Sequence, residues 1–600
     1  MDEQQKLKHA QDEVERTLRA SRKSPDNRDL AAEVALARSH FGDELMEHHR
    51  YEEAAEQHRA AIEIIHQHSA SGLTDDDREF ELSIAYERLG ECLRYMGNAP
   101  AAQDSYREAM IIAQRIVERE PYSPEYQRGL AICHDNLGEL LVEQGLTEEA
   151  LRQHSEALRI TESLLDHRAD QWEPEMPPRL FKVGLLLAAR GEVESALNHY
   201  RSALEIAERL TRSTPGQHED LLATAHERIG EVAMDNGSLA QARASFAQAL
   251  PVRQEILKTI PNNIEARRSL AICRAMLGEI LFEQGDLEGS LVHYQEAFEF
   301  GANLREQEPG DPILIQDHLI GHQNIGDVLQ RQGDLQGAQD SFDKALALAH
   351  KLIDEHPDQG EWRLDLAAAR NRLGDVAAVR GDHRTSIDHH RQALITLEEH
   401  ASFDPLSMVC QREIGATHTR IGHALKQHTD DETALQHYHQ ALEIANRLAK
   451  LDLENPGLRR ELAVAHNDLG HAMYDLGRNE EAIELHQKAL GLTQTLTVMD
   501  PSNAEWQRDL AICHERVSAV MRELGRTQEI AKHTKASFQI SLKLAQHDES
   551  NADWQRDLAM ACEAMADLHD SCGEADKALI MMERSGTISA RLSAADPSNL

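Results

Sequence analysis

Residues 137–157 read Leu-Gly-Glu-Leu-Leu-Val-Glu-Gln-Gly-Leu-Thr-Glu-Glu-Ala-Leu-Arg-Gln-His-Ser-Glu-Ala, which sets Gly138, Gly145, Ala150, His154 and Ala157 at fixed offsets. With Gly138 as anchor, the same spacing returns along the whole chain. The anchor stands at Gly42, Gly90, Gly138, Gly184, Gly230, Gly278, Gly326, Gly374, Gly422 and Gly470, and degenerate copies follow at Ser518 and Ala566. Successive intervals are 48, 48, 46, 46 and then 48 seven times, so twelve copies fill nearly all 600 residues. A fixed period of this length is the signature of a stacked array.

Other positions keep the same phase. A second Gly falls seven residues past the anchor, with departures only at His49 and Thr429. Twelve past the anchor is Ala in nine copies, and sixteen past it is a ring in ten (His58, Tyr106, His154, Tyr200, Phe246, Tyr294, Phe342, His390, Tyr438, His486). Nineteen past it is Ala in ten copies, and thirty-one past it is Pro in eight. Gly inside a helix costs about 1 kcal/mol relative to Ala, and a repeated cost implies a repeated benefit, the close approach of a second helix. The second Gly stops that helix, because Gly takes φ > 0 without strain. Offsets 12, 16 and 19 share one helical face, and Pro ends the second helix. Each unit therefore reads as helix A, Gly turn, helix B, Pro turn.

This spacing of Leu-Gly, Ala, ring and Ala resembles the tetratricopeptide repeat (TPR). The resemblance covers roughly residues 28–600, with units of 48 residues against the family's 34. The long unit is similar to the extended arrays of bacterial signalling proteins and kinesin light chains. It implies an all-α fold, a right-handed superhelical α-solenoid of about twelve antiparallel helix pairs. Residues 1–27 match the phase of an isolated helix B and read as an N-terminal capping helix. An irregular break is expected near 168–178, where Pro177 and Pro178 delay helix A to about Arg179 and leave a bend or exposed loop.

Composition narrows the function. Lys and Arg number 63 against 104 Asp and Glu, a formal net charge of −41. That argues against nucleic acid, whose phosphates need clustered cations. No run of about 18 apolar residues spans a membrane, and Met1–Lys8 has no apolar signal core. Cys133, Cys273 and Cys513 share one repeat position where other copies carry Ala, no CxxC occurs, and the usage fits a reducing cytoplasm. His318 and His322 have the i, i+4 spacing of a metal pair, yet no third ligand recurs with them, so they read as packing residues. No phosphate-binding, dinucleotide or nucleophile-elbow motif is present. The expectation is a non-enzyme without cofactor or metal.

In the TPR family, helix A lines a concave face that binds peptides. The resemblance places groove residues three before, one after and five after the anchor. These are Asp43, Glu87, Glu91, Asp135, Glu139, Glu143, Glu227, Glu231, Asp235, Glu279, Glu283, Asp327 and Asp375, an acidic ladder concentrated in copies 1–7. The family's Lys/Asn clamp for a terminal carboxylate is missing, so the ladder points to a protein or peptide partner rich in Lys and Arg. The alternative is a regulatory sensor array serving a kinase, ATPase or protease domain of a larger signalling system. Ala578-Leu579-Ile580-Met581-Met582, apolar all round in the last helix B, is a candidate for self-association or for contact with more chain.

Overall fold

The computed structural model describes residues 3–24, 27–67, 75–307, 310–357, 359–405, 407–428, 430–451, 455–501 and 503–595; Thr429 and residues 596–600 lie outside them. Twenty-five α-helices follow one another among these residues, with no strand, from α1 (Glu3–Lys23) to α25 (Ala575–Ala595). Copies 1–12 are α2 (Arg28–Glu47) with α3 (Tyr51–Gln67), α4 (Asp75–Tyr95) with α5 (Ala99–Arg119), and α6 (Pro124–Glu143) with α7 (Thr147–Trp172). Then come α8 (Met176–Ala189) with α9 (Val193–Ser213), α10 (Glu219–Asp235) with α11 (Leu239–Thr259), and α12 (Ile264–Glu283) with α13 (Leu287–Gln307). The rest are α14 (Pro312–Arg331) with α15 (Leu335–Glu355), α16 (Trp362–Val379) with α17 (His383–Phe403), α18 (Met408–Gln427) with α19 (Asp431–Leu451), α20 (Pro456–Asp475) with α21 (Asn479–Met499), α22 (Ala504–Glu523) with α23 (Thr527–His547), and α24 (Ala552–Ser571) with α25. From α1 to α7 and from α10 to α25, each helix packs chiefly on its neighbours in sequence.

The repeated benefit behind the anchor glycine is a ring laid flat on it. A Cβ at Gly184 would sit 2.4 Å from Tyr200 Cε1, and one at Gly42 2.5 Å from His58 Nε2; the other eight anchors face their own ring sixteen residues on in the same way. In copy 11, where Ser518 replaces the anchor, the partner shrinks with it: Ser518 Oγ lies 2.8 Å from Thr534 Oγ1. The second Gly of each turn has φ between +69° and +83° at the ten positions where it occurs, and His49, which replaces it in copy 1, adopts φ +58°. Caps match the expected chemistry: Asn455, Asn503 and Asn551 each accept a backbone N–H three residues on.

Two features differ from the sequence reading. There is no open loop at 168–178. Helix α7 continues to Trp172, a single 3-10 turn covers Glu173–Glu175, and α8 begins at Met176 with both prolines in its first turn. Proline has no N–H to lose there, so the first turn of a helix accepts it. The chain also divides into two compact units where one continuous array was expected. The first comprises Met1–Leu187 with Asn198–Ser213, and the second Ala188–Leu197 with Thr214–Leu600.

Candidate functional site

In the first unit every ladder acid but Glu87 has a cation or ring within salt-bridge distance. Asp43 lies 3.5 Å from Arg88 and 3.7 Å from His58, and Arg88 also holds Glu91 at 3.0 Å. Glu139 is 2.7 Å from Arg94 and 2.6 Å from Lys182, while Arg94 reaches Glu143 at 2.7 Å. Burial pushes the Glu139 carboxyl up, but the hydrogen bonds and charges of Lys182 and Arg94 outweigh it and hold the group below its ordinary range. Glu87 is half-buried beside Asn136, and burial raises its carboxyl against the pull of Arg88.

Asp135 corrects the groove assignment. It is 7% exposed, 2.9 Å from Arg179 and 3.1 Å from the packing ring of His154. It is an interior charge that ties copy 3 to copy 4. The same offset carries Asn371 and Asn467, whose Oδ1 atoms lie 3.0 and 2.9 Å from Nδ1 of His390 and His486. This position serves the histidine variants of the packing ring.

In the second unit pairing is uneven. Glu227 lies 2.6 Å from Arg253 and Glu231 2.7 Å from Arg228. Asp327 is 3.1 Å from Arg372, and Asp375 is 3.6 Å from Arg420. Between these, Asp235, Glu279 and Glu283 make no ion pair among the described residues. All three carboxyls are raised, first by burial: Asp235 by burial alone, Glu279 further by Glu283 and Asp235, and Glu283 further by Asp553, against Arg331, Arg508 and Arg556. The sequence reading treated all ladder acids alike, whereas the structure leaves this group short of cations.

A cleft of about 920 Å³ adjoins Asp235 within the same unit. Apolar lining comes from Val409 of α18, Ile444 and Leu448 of α19 and Val464 of α20. Ala188, Ala189, Gly191, Val193 and Val232 also line it, and its charges are five carboxylates (Asp235, Glu413, Glu461, Asp468, Glu505) against Arg412 and Arg460. Burial lifts Asp468 to about 6 against the pull of Arg516.

Sequence reasoning missed a second ladder at the start of helix A. An Arg ten residues before one anchor pairs with the acid nine before the next: Arg268 with Asp317 at 2.8 Å, Arg412 with Glu461 at 2.5 Å, Arg460 with Asp509 at 2.5 Å, and Arg508 with Asp557 at 2.6 Å. The signal was the recurring Arg-Asp of Gln507-Arg508-Asp509 and Gln555-Arg556-Asp557. His318 stacks on Phe298 and His322 packs tilted against it, with ring centroids 4.2 and 4.7 Å away, and among the described residues no three His, Cys, Asp or Glu side chains are grouped to hold a metal. Six cysteines are buried, and burial pushes the thiols of Cys92, Cys133 and Cys273 up to about 12. Leu579, Ile580 and Met582 are 59%, 57% and 50% exposed on α25. No helix among the described residues is long and apolar enough to cross a membrane.

These helix pairs, ten of the twelve closed by a ring on a glycine, define an all-helical repeat protein of the protein-interaction class. Tetratricopeptide repeat models match residues 81–163, 184–256 with 324–382, and 462–496. The chain belongs to the tetratricopeptide repeat superfamily. No curated protein matches it. Among solved structures it is similar to BtubC (BKLC) from P. vanneervenii, at 20% identity over 43% of this chain and 92% of that one, with a TM-score of 0.35. It is similar to a Rap protein complexed with competence and sporulation factor, at 15% identity over 70% and 99%, TM-score 0.37. It is also similar to a human IFIT1 dimer with m7Gppp-AAAA, at 16% over 76% and 90%, TM-score 0.36.

Proposed function

We propose that this protein is a non-enzymatic scaffold that holds a Lys/Arg-rich protein segment on the inner face of its second unit. One observation carries the reading: Asp235, Glu279 and Glu283 are crowded, partly desolvated and without an ion-pair partner among the described residues. Desolvated like charges raise one another's pKa, and an incoming cation relieves both terms. The neighbouring cleft supplies apolar contact and more acid than base. Ion-paired acids such as Glu139 have little left to offer a ligand, so the binding stretch contracts from copies 1–7 to copies 5–6 and the facing cleft.

The test is fluorescence anisotropy of a labelled (Lys-Ala)6 peptide with the full chain at low and high salt. Binding is expected to weaken steeply with salt, because exposed charge pairs are screened over about 10 Å at 0.1 M. It is also expected to weaken on acidification, because these raised carboxyls take up protons before ordinary ones do. The triple change Asp235→Lys, Glu279→Lys, Glu283→Lys should abolish it, and Glu139→Gln should leave it unchanged. Equal binding by the triple variant sinks the reading. Self-association through Leu579 and Ile580 is a separate expectation, and light scattering of the wild type against Leu579→Glu with Ile580→Glu decides it.

A further inference from the structure

Within the second unit, copies far apart in sequence cap each other's helices. The N-terminal N–H groups of a helix have no intrahelical acceptor and normally take one from the residue just before it. Helix α11 breaks that habit. The side chain of Ser238, at its N-cap position, bonds no amide of its own helix. Instead Ala240 donates its N–H to Asp548 Oδ2 at 2.9 Å, from 308 residues away, and Ser238 Oγ lies 3.1 Å from His547 Nε2. The exchange is reciprocal. Asn236 Oδ1 accepts the N–H of Ala504, the first residue of α22, at 2.6 Å, and Asn551 Nδ2 donates to the Gly237 carbonyl at 3.1 Å. Two indoles complete the contact. Trp506 lies on Gly191, where a Cβ would come 2.3 Å from its Cη2, and Trp554 lies on Gly237, where a Cβ would come 2.4 Å from its Cζ2. The indoles are only 5% and 3% exposed.

Trp506 and Gly191 also line the 920 Å³ cleft, so the clasp and the cleft share a wall. The charges agree with a narrow interior: burial raises the carboxyls of Glu505 in copy 11 and Glu283 in copy 6, and Asp235 of copy 5 and Asp553 of copy 12 add to the two shifts respectively. A volume of this size compares with the roughly 300–1,000 Å³ pockets that enclose small ligands. It holds a few residues of extended chain and falls far short of a 100-residue domain, whose radius of gyration is about 13 Å.

We propose that the clasp closes this turn around the cleft, so that the partner segment is held extended and threaded along the inner face, and a folded domain is not admitted. This rests on the binding reading above. The experiment uses the full chain and two probes: the (Lys-Ala)6 peptide with free ends, and the same segment with a small folded domain fused at each end. The wild type should bind the first and show no association with the second. Trp506→Ala with Trp554→Ala should bind both, and release the free peptide faster than the wild type does. Should that double variant fail to fold, Asn236→Ala removes a clasp hydrogen bond with less disturbance and should admit the blocked probe. Hydrogen exchange reads the clasp without ligand: the Ala240 and Ala504 amides should be protected in the wild type, and Ala504 should lose about tenfold or more in Asn236→Ala. Equal wild-type binding of both probes, or unprotected Ala240 and Ala504 amides, overturns the proposal. Binding of neither probe, with those amides protected, overturns the binding reading and the threading with it while leaving the clasp standing.

Discussion

Changing Gly326 to Ala tests the logic of the repeat at its centre. The new Cβ would lie 2.4, 2.8 and 2.9 Å from Cε1, Cδ1 and Cζ of Phe342. Carbon atoms rest at about 3.5–4.0 Å, so the ring must retreat by roughly 1 Å. It has nowhere to go: Phe342 is 0% exposed and packs with Leu373 and Val376 of the next copy. Overpacking of this kind costs about 1–3 kcal/mol, while Ala regains about 1 kcal/mol of helix propensity. The net expectation is a loss of up to about 2 kcal/mol, and a stability about 1–3 kcal/mol below that of an unhindered Gly→Ala change. Gly491 in α21 is the control, because a Cβ there meets nothing within 4 Å. Gly491→Ala should stabilise by up to about 1 kcal/mol. Phe342→Ala alone should cost about 3–5 kcal/mol, and the double variant less than the sum, since the new methyl enters space the ring has left. Repeat arrays unravel piecewise, so the measurement is native-state hydrogen exchange across α14 and α15 with urea midpoints beside it. A Gly326→Ala protein stabilised as much as the Gly491→Ala control, or a strictly additive double variant, refutes the ring-on-glycine account.

Burial holds His58, His390 and His486 down at about 4. Their folded values lie below the ordinary 6.5, so the unfolded chain takes up protons first. Their support is complete above about pH 6.5 and is lost as pH falls toward 4, by about 3 kcal/mol per ring. His58→Phe should flatten that acid limb in urea titrations at pH 7 and pH 4.5. Asp135→Ala should cost about 1–3 kcal/mol, because it leaves buried His154 without its partner and Arg179 with Glu175 alone, and exchange should rise across α6–α8. Gly145, at φ +73° with open space around it, isolates backbone strain. Gly145→Ala should cost about 1–2 kcal/mol, and His49→Gly should stabilise, as thermal melts will show.

The fold was legible because each repeat position answers a local steric need. A ring over Gly326 or a left-handed turn at Gly145 leaves its mark in residue type whatever surrounds the unit. The candidate site was half legible. Acids on helix A could be counted, but the cations that neutralise them stand about one repeat ahead, at Arg88, Lys182, Arg372 and Arg420. Asp135 looked like its neighbours on the ladder until the histidine variant of the packing ring drew it inward. Pro177 and Pro178 suggested a loop because proline disrupts helix interiors, and they were instead at a helix start. The clasp has no periodic signature. It depends on curvature summed over the copies between Gly191 and Trp506, and only the two tryptophans, 48 residues apart, hint at it.

That summation has a consequence for how the array responds to load. Each interface between copies sets a small rotation, and the rotations add along the stack. The clasp closes only when six successive interfaces together bring Asn236 to Ala504, so it compares their total with a fixed target. A slight rotation at any one of them, from a ligand, a modification or a substitution, reaches the clasp undiminished. The contact between Trp554 and Gly237 thus works as a strain gauge wired in series, reporting on copies that neither residue touches.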